Sequence, residues 1–262
     1  DGYTDQNLRA STALWGDYVY RSGWIYTIGE DDWWTNSTGI SQVKTSLSYC
    51  NTNGPALSAL GFGWCWDHTR ENVSSAVDPV TGNHWYGKSV GGSDGDRAWG
   101  IDESDNAVTG NRVNMNTYLA ATQSYVDYCV AQGIPTKVFF STAPPDDWDG
   151  TIGVEALFQG YLKNEHIRKY VKSDPSRILF DYADILCYND ANTLATATWN
   201  GNEFPTYHPD NNGGGYIGGH VGKVGEIRLA KAMWWMLARI AGWDGNVTGI
   251  VDNNQVTNLF KI

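Results

Sequence analysis

A serine and a histidine near opposite ends of the chain lie in surroundings that suit nucleophilic catalysis. Ser37, in Asn36-Ser37-Thr38-Gly39, follows the apolar run 24–28, and His220 opens the helical pattern 223–241. Amides at a helix N-terminus favour a developing negative charge, and histidine can act as a general base near neutral pH. The pair therefore predicts a serine hydrolase. The alternative is that Asn36 or Ser37 only caps the helix, as such residues often do.

A second histidine and a neighbouring acid lie shortly before His220. In Tyr207-His208-Pro209-Asp210, His208 is either a competing base or a substrate contact, and Asp210 can orient the catalytic base. The structural alternative for His220 is that it caps the helix or bonds a carbonyl group.

Glycine and tryptophan alternate directly after the second apolar run, in Gly61-Phe62-Gly63-Trp64-Cys65-Trp66-Asp67. Gly63 lets backbone amides approach a ligand closely, as an oxyanion hole requires. Trp64 and Trp66 can form a platform for a sugar, because flat aromatic faces stack on the C–H faces of sugar rings. The alternative is that the glycines only permit tight strand packing.

Carboxylates and an amide follow the apolar triplet at 99–101. Asn106 can donate a hydrogen bond to an oxyanion, whereas Asp102, with Asp105, Asp67 and a histidine, can supply acid–base groups for cleaving a glycosidic bond. Such carboxylates also bind hard cations, but their spacing matches no EF-hand loop, so a structural Ca²⁺ is only weakly supported. The alternative is a solvated acidic loop.

Charge and composition narrow the classes of partner. The chain has 29 acidic and 18 basic residues and a net charge of −11. Since it lacks a Lys/Arg cluster, nucleic acid is not an expected partner. No apolar run is long enough to cross a bilayer, so no membrane partner is expected. Thirteen Trp, fifteen Tyr and thirty Gly indicate a secreted protein with a polysaccharide or oligosaccharide partner, although the Trp can also simply fill a large core.

Four cysteines are spread along the chain without any Cys-x-x-Cys pair: Cys50, Cys65, Cys129 and Cys187. A zinc site is therefore not expected, and no metal ligand and no required cofactor are assigned. Three disulfide connectivities remain open.

The apolar pattern predicts an α/β fold. Short continuous runs suit strands at 24–28, 56–62, 138–142 and 178–182, with a possible fifth strand ending at 99–101, and helical patterns cover 40–50, 115–132, 155–172 and 223–241. This order predicts a three-layer α/β/α sandwich with a mainly parallel, flavodoxin-like sheet. Residues 1–245 then form a single catalytic domain, and 246–262 form a tail that packs on it. The site lies at the carboxyl ends of the strands, with connections 64–96 and 190–219 as its walls.

With these residues in place, the chain resembles a remote member of the SGNH (GDSL-like) hydrolase superfamily with degenerate motif blocks, from about residue 22 to 243. The resemblance implies that Ser37 attacks, His220 is the base, and Gly63 and Asn106 hold the oxyanion. No Gly-Asp-Ser is present, and Ile217 stands where the family has its acid.

Three functions follow as hypotheses. The first is a secreted carbohydrate-active hydrolase that removes ester groups from a polysaccharide through Ser37 and His220. The second is a glycoside hydrolase or lyase on the same fold that uses Asp and His residues. The third is a carbohydrate-binding protein without catalysis, in which tryptophans bind the sugar.

Overall fold

The computed structural model describes residues 34–53, 56–63, 99–145, 153–212 and 221–246. Within these ranges the helices are Ser37–Asn53 (α1), Asn106–Thr109 (α2), Met115–Gln132 (α3), Val154–Lys172 (α4), Tyr182–Cys187 (α5) and Lys223–Ile240 (α6). The strands are Ala59–Gly61 (β1), Lys137–Ser141 (β2), Ile178–Phe180 (β3), Thr196–Trp199 (β4) and Asn202–Pro205 (β5). No helix in these ranges combines the length and apolar character that crossing a bilayer requires.

Three of the strands form a small parallel sheet in the order β1-β2-β3. Leu60 pairs with Val138, and Phe140 pairs with Leu179. Strands β4 and β5 form a separate antiparallel hairpin. The predicted mixed α/β fold with parallel strands is therefore confirmed.

Helices pack against both faces of this sheet. Successive strand residues point to opposite faces, and β2 shows the consequence. Val138 and Phe140 belong to a core shared with residues of α1, α3 and α4, whereas Phe139 packs with residues of α6. Since β2 is the central strand and is flanked on both sides, its three middle residues, Val138, Phe139 and Phe140, are apolar without alternation.

Local signals set the ends of α3, whose bounds match the predicted helix. The Asn114 side chain accepts a hydrogen bond from the Thr117 amide at 2.9 Å, which caps the N-terminus. Gly133 ends the helix in the left-handed conformation with φ of 63°. One face of the helix points into the core, and its four residues at three- and four-residue spacing are buried: Tyr118, Thr122, Tyr125 and Cys129.

The order of the strands departs from the flavodoxin-like prediction. In that order the first strand of the chain lies between the second and the third. Here β1 and β2, the predicted second and third strands, are directly hydrogen-bonded neighbours. No strand lies between them, and the predicted first strand at 24–28 is outside the described residues.

The structure changes the detail of the predicted strands and connections. The predicted fifth strand lies outside the described residues except for its end at 99–101, where Gly100 forms an isolated parallel bridge with Asn114. The strand predicted at 178–182 ends at Phe180, because the Asp181 side chain caps α5. The connection 190–219 contains the β4–β5 hairpin, whose Asn200-Gly201 turn has positive φ at both positions. Two such positions suit a tight hairpin turn.

Helix α6 is buried on one side rather than two. Met236 is buried against the sheet, with Leu229 and Met233 packed beside it, but Ile227 is 46% exposed and Trp234 is 70% exposed. Two apolar stripes in the pattern 223–241 predict burial on more than one side of this helix, and that prediction was wrong. No described residue packs on the outer face of this helix, and the apolar pattern of the sequence alone does not show this.

The described cysteines carry free thiols. Cys50, Cys129 and Cys187 are buried and unbridged. Every two-bridge connectivity of the four cysteines would join at least two of these three, so none of the three connectivities is present. Burial raises the pKa of the Cys187 thiol to about 12, which keeps it protonated and unreactive at neutral pH.

Candidate functional site at the carboxyl edge

The carboxyl ends of β1, β2 and β3 meet at one edge of the sheet, which we call the carboxyl edge. In open parallel sheets, ligands bind at this edge. Gly63, Thr142 and Asp181 leave the three strands there. The N-termini of helices α1, α3 and α4 also lie at this edge, because each of these helices leads into the start of a strand.

Ser37 stands at the first position of α1 without acting as its cap. The Asn36 side chain accepts a hydrogen bond from the Gly39 amide at 2.7 Å, and the Asn36 carbonyl accepts one from Ile40 at 2.9 Å. Ser37 itself is exposed, and its hydroxyl forms no hydrogen bond within the described residues. The capping role therefore belongs to Asn36, and the Ser37 hydroxyl is available at the positive end of a helix.

Aromatic contacts hold the start of α1 beside the end of β1. The Trp34 and Phe62 rings lie 5.4 Å apart, and the Trp34 indole donates to the Thr122 hydroxyl at 2.9 Å. Since Trp34 precedes Ser37 by three residues and Phe62 directly precedes Gly63, both candidate residues lie near this contact. The structure thus brings these two predicted positions to one region of the carboxyl edge.

The two glycines of the β1 segment have different surroundings. A Cβ at Gly61 would lie 2.2 Å from the Phe139 ring, so tight packing accounts for that glycine. A Cβ at Gly63 would meet no described atom within 4 Å, and Gly63 is exposed. Packing within the described residues therefore does not account for Gly63, whose backbone borders open space.

The side-chain amide of Asn106 is oriented as a donor. Asn114, the cap of α3, donates from Nδ2 to Asn106 Oδ1 at 2.9 Å. Because this bond occupies the oxygen, the Asn106 Nδ2 group is left to donate outward, and it has no acceptor among the described residues. Such a donor suits a developing oxyanion.

Tyr118 connects the segment that contains Asn106 and Asn114 to Phe62. The Tyr118 amide donates to the Asn114 carbonyl, and the Tyr118 ring lies 5.9 Å from the Phe62 ring. The Tyr118 hydroxyl also binds both backbone groups of Ser141 at the end of β2. This chain of contacts ties the Asn106 segment to the region that carries Ser37 and Gly63.

The two candidate aspartates of the acidic loop hold its backbone. The Asp105 carboxylate is buried and accepts hydrogen bonds from the Ile101 amide at 2.7 Å and the Asp102 amide at 3.3 Å. The Asp102 side chain caps the short 3-10 helix at Glu103–Asp105 by accepting from the amide and the hydroxyl of Ser104. Both carboxylates therefore have a structural task.

A histidine that the sequence interpretation missed packs against this loop. His166 Nε2 lies 2.8 Å from Asn116 Oδ1, and Asn116 Nδ2 donates to Glu103 Oε2 at 3.1 Å. Since the Asn116 oxygen must accept, the proton of neutral His166 is on Nε2 and Nδ1 is a free base. His166 also lines an open cavity of about 580 Å³ with Ile101 and Leu162.

We expect His166 to titrate below the usual range for histidine. Burial lowers its pKa, although the negative charge of Asp102 and its neighbours opposes this effect. A lowered folded pKa stabilises the fold above the unfolded value of about 6.5, and this stability is lost as the pH falls through the folded pKa. NMR titration of the His166 ring protons measures the shift, and His166→Gln should flatten the pH dependence of unfolding. A His166 pKa at or above the value of histidine in an unstructured peptide would contradict the expected lowering.

His208 and Asp210 lie together beside the start of α6. The Asp210 amide donates to His208 Nδ1 at 3.1 Å, so the proton of neutral His208 is on Nε2. The Asp210 carboxylate is 3.7 Å from His208 Nδ1 and accepts from Asn189 at 3.0 Å. The Gly222 amide donates to the Asn211 carbonyl at 2.7 Å, which fixes this corner to α6. Asp210 thus contacts His208, and His220 lies outside the described residues.

A partly buried ion pair joins α4 to the ends of β2 and β3. Arg168 donates to both carboxylate oxygens of Asp181, at 2.7 and 2.8 Å, and to Glu165 at 2.7 Å. The Thr142 hydroxyl donates to Asp181 at 3.0 Å. Burial alone would lower the pKa of Arg168, but bonding to Asp181 and Glu165 raises it overall. Asp181 therefore has a structural role, because it links Arg168 of α4 to Thr142 at the end of β2.

The remaining candidate residues cannot be placed. Trp64, Trp66, Asp67 and His220 lie outside the described residues. In the ranges that the structure describes, no three His, Cys, Asp or Glu side chains converge as metal ligands.

Comparison with known proteins gives no family assignment. No protein-family model, no curated protein and no solved structure significantly matches the chain.

Proposed function

We propose that the protein is a secreted carbohydrate-active hydrolase that removes ester groups from a polysaccharide, with Ser37 as the nucleophile. The observation that carries this proposal is the exposed Ser37 hydroxyl at the start of α1, whose capping bond is made by Asn36 instead. The frame we propose is a three-layer α/β/α sandwich. Helices on both faces of β2 support it.

In this proposal the Ser37 hydroxyl attacks the ester carbonyl carbon and transfers its proton to His220. The Gly63 amide and the Asn106 Nδ2 group stabilise the oxyanion of the tetrahedral intermediate. His220 returns the proton to the sugar oxygen as it leaves, and water then hydrolyses the acyl-serine in a second, equivalent step. The donor orientation of Asn106 and the open space at Gly63 support these roles.

Covalent labelling tests the nucleophile directly. A fluorophosphonate probe reacts with activated serine hydroxyls, because an activated nucleophile displaces its fluoride. We expect one adduct, on the tryptic peptide that contains Ser37, and none in Ser37→Ala. An adduct on another serine, or no adduct in folded protein, would contradict the proposal.

One observation favours cleavage of the glycosidic bond instead. Glu103, Asn116 and His166 form a connected polar chain beside an open cavity, so a base with a free Nδ1, His166 of α4, lies next to the acidic loop. Because Asp102 and Asp105 are bonded to backbone and hydroxyl groups, Glu103 and His166 are better candidates for this chemistry than the two aspartates. Chain shortening that depends on His166 and not on Ser37 would support this second function.

A different observation favours sugar binding without catalysis. Of the described tryptophans, Trp34 and Trp99 are 1% exposed and fill the core, whereas Trp234 and Trp235 on α6 are 70% and 46% exposed. Exposed indole faces can stack on sugar rings. Binding of a glycan that Trp234→Ala abolishes, without turnover of any ester, would support this third function.

A further inference from the structure

The outer face of α6 exposes four large apolar side chains. Val224, Ile227 and Trp235 are 42%, 46% and 46% exposed, and Trp234 is 70% exposed. This face lies opposite the buried Met236, which packs against the sheet. Contiguous apolar patches on a protein surface commonly mark interaction sites, so this face is expected to bind a partner.

Three exposed cations lie among these side chains. Lys223, Lys231 and Arg239 are exposed and stand eight positions apart on α6. Neither lysine forms an ion pair within the described residues. The Arg239 guanidinium lies 5.7 Å from the Trp235 ring centre and donates to the Trp243 carbonyl at 3.0 Å, which holds it beside that indole. The helix thus assembles a basic face that is not a run of basic residues in the sequence.

This face is positive on a protein whose net charge is −11. Glu226, the one acidic residue of α6, lies in its first turn, where the positive end of the helix favours it. Arg228 lies on the side that faces α5, where it donates to the Ile185 carbonyl and pairs with Asp190. The charge of the outer face therefore complements an anionic partner.

A second copy of the chain fits this face poorly. The common twofold interface brings the same patch of both subunits together. The three cations of one face would then meet the three cations of the other. Like charges opposed across an interface cost free energy, so the charges disfavour a dimer through α6.

A lipid surface also fits this face poorly. A helix that lies in a membrane interface buries a continuous apolar face and keeps its cations on the polar side. With about 100° of rotation per residue, Lys231 lies between Ile227 and Trp235, about 40° from each. Insertion of the indoles into lipid would therefore carry the Lys231 charge with them.

We propose that the outer face of α6 binds an acidic polysaccharide, with Trp234 and Trp235 stacked on sugar rings and Lys231 paired with a uronate carboxylate. Lys231 precedes the two indoles by three and four positions, so the three side chains are neighbours on the helix surface. The assignment rests on the proposed function for the polysaccharide itself and adds that this polymer carries carboxylates. Because Lys223 follows the proposed base His220 by three positions, a chain bound along α6 leads toward the proposed ester site.

The test is isothermal titration calorimetry with oligogalacturonate, a uronate chain without ester groups, and with its neutral, carboxyl-reduced form. We expect oligogalacturonate to bind at least about 10-fold more tightly than the neutral form. Its affinity should also fall as salt is added, because ions screen exposed charges.

Substitutions on α6 separate stacking from charge. Trp234→Ala should weaken binding of oligogalacturonate about 10-fold or more, because an exposed stacking surface is lost. Lys231→Gln should weaken it about 3- to 10-fold and reduce its salt dependence. Both variants should unfold near the wild-type temperature, since both side chains are exposed.

Two control variants remove the same chemistry elsewhere. Tyr49→Ala removes a ring that is 48% exposed on α1, on the other face of the sheet, and Lys137→Gln removes an exposed cation at the start of β2. Both should leave the affinity for oligogalacturonate unchanged. A loss in the controls as large as that in the α6 variants would overturn the assignment.

Four further results would overturn it. One is equal affinity for the charged and neutral oligosaccharides, or binding of neither. Another is a dimer in sedimentation that Trp234→Ala abolishes, which would assign the face to a second copy. A third is binding to phosphatidylglycerol vesicles that Trp234→Ala abolishes, which would assign it to a lipid surface. The fourth is a loss of thermal stability in Trp234→Ala, which would show that the indole packs within the protein.

Failure of this assignment is distinguishable from failure of the proposed function, because oligogalacturonate contains no ester. Wild-type protein that hydrolyses esters but does not bind oligogalacturonate would refute the α6 assignment alone. Protein that binds oligogalacturonate through Trp234 and hydrolyses no ester would refute the proposed function alone.

Discussion

Ser37→Ala is expected to lower ester hydrolysis by about 10³- to 10⁶-fold, which is the range that follows loss of a serine nucleophile. The fold should be unaffected, because Ser37 is exposed and Asn36 makes the capping bond. We expect the free energy of unfolding to change by less than about 0.5 kcal/mol, as at other exposed positions. Steady-state kinetics on an acetylated oligosaccharide and chemical denaturation measure the two effects.

Two neighbouring substitutions separate the roles of this segment. Asn36→Ala removes the cap and should lower stability by about 1 kcal/mol. Thr38→Ala changes an exposed neighbouring hydroxyl and should leave both stability and activity near wild type. If Ser37→Ala retained more than a tenth of the wild-type activity, Ser37 would not be the nucleophile. If Ser37→Ala lost as much stability as Asn36→Ala, the Ser37 side chain would contribute to capping α1, contrary to the structure.

The second large effect concerns stability. Arg168→Met leaves the Asp181 carboxylate without its bidentate partner at a position where the Asp181 side chain is only 25% exposed. Removing one member of a buried ion pair typically costs about 3–5 kcal/mol, because the remaining charge is poorly solvated. We therefore expect a loss of that order in the free energy of unfolding, measured by urea denaturation.

Arg228→Met is the matched control. The Arg228 side chain is 13% exposed, close to the 10% of Arg168, but its partner Asp190 is 70% exposed. Water solvates that carboxylate when the arginine is removed, so the loss should stay below about 1 kcal/mol. Equal losses in unfolding free energy would show that the Arg168–Asp181 pair stabilises the fold no more than the exposed Arg228–Asp190 pair does.

Much of the fold follows from local sequence signals. Helix α3 has its predicted bounds because Asn114 and Gly133 act within a few residues of the ends that they define. The strands β1 and β3 are shorter than the predicted apolar runs, and β2 is shifted by one residue. A run of apolar residues indicates which residues are buried, but not which of them form hydrogen bonds to a neighbouring strand. The Asn200-Gly201 turn is a hairpin signal that sequence reasoning overlooked, and it was available in the sequence.

The site was less predictable because its contacts join residues far apart in sequence. His166 reaches Asn116 across fifty positions, and neither residue belongs to a recognisable motif. The exposed cations on the outer face of α6 carry no local sequence signal either, since they stand eight positions apart. By contrast, Asn36 and Ser37 were both flagged as cap candidates, and the structure assigns the cap to Asn36.

The strand order shows a different limit. Patterns of apolar residues predict which segments form strands, but pairing depends on which edges meet in space. The direct pairing of β1 with β2 therefore could not be read from the runs themselves. The outer face of α6 is a similar case, because Trp234 continues an apolar stripe and is nonetheless exposed.

The central claim is that the protein cleaves an ester and leaves the polysaccharide chain intact. Time-resolved proton NMR of the protein with native acylated polysaccharides tests it most directly, because acid release and chain cleavage give separate signals. We expect free acetate or another carboxylic acid to appear without new anomeric signals, and to be absent with Ser37→Ala. New reducing-end or olefinic sugar protons without released acid would contradict the claim and move the chemistry to the carboxylates and histidines.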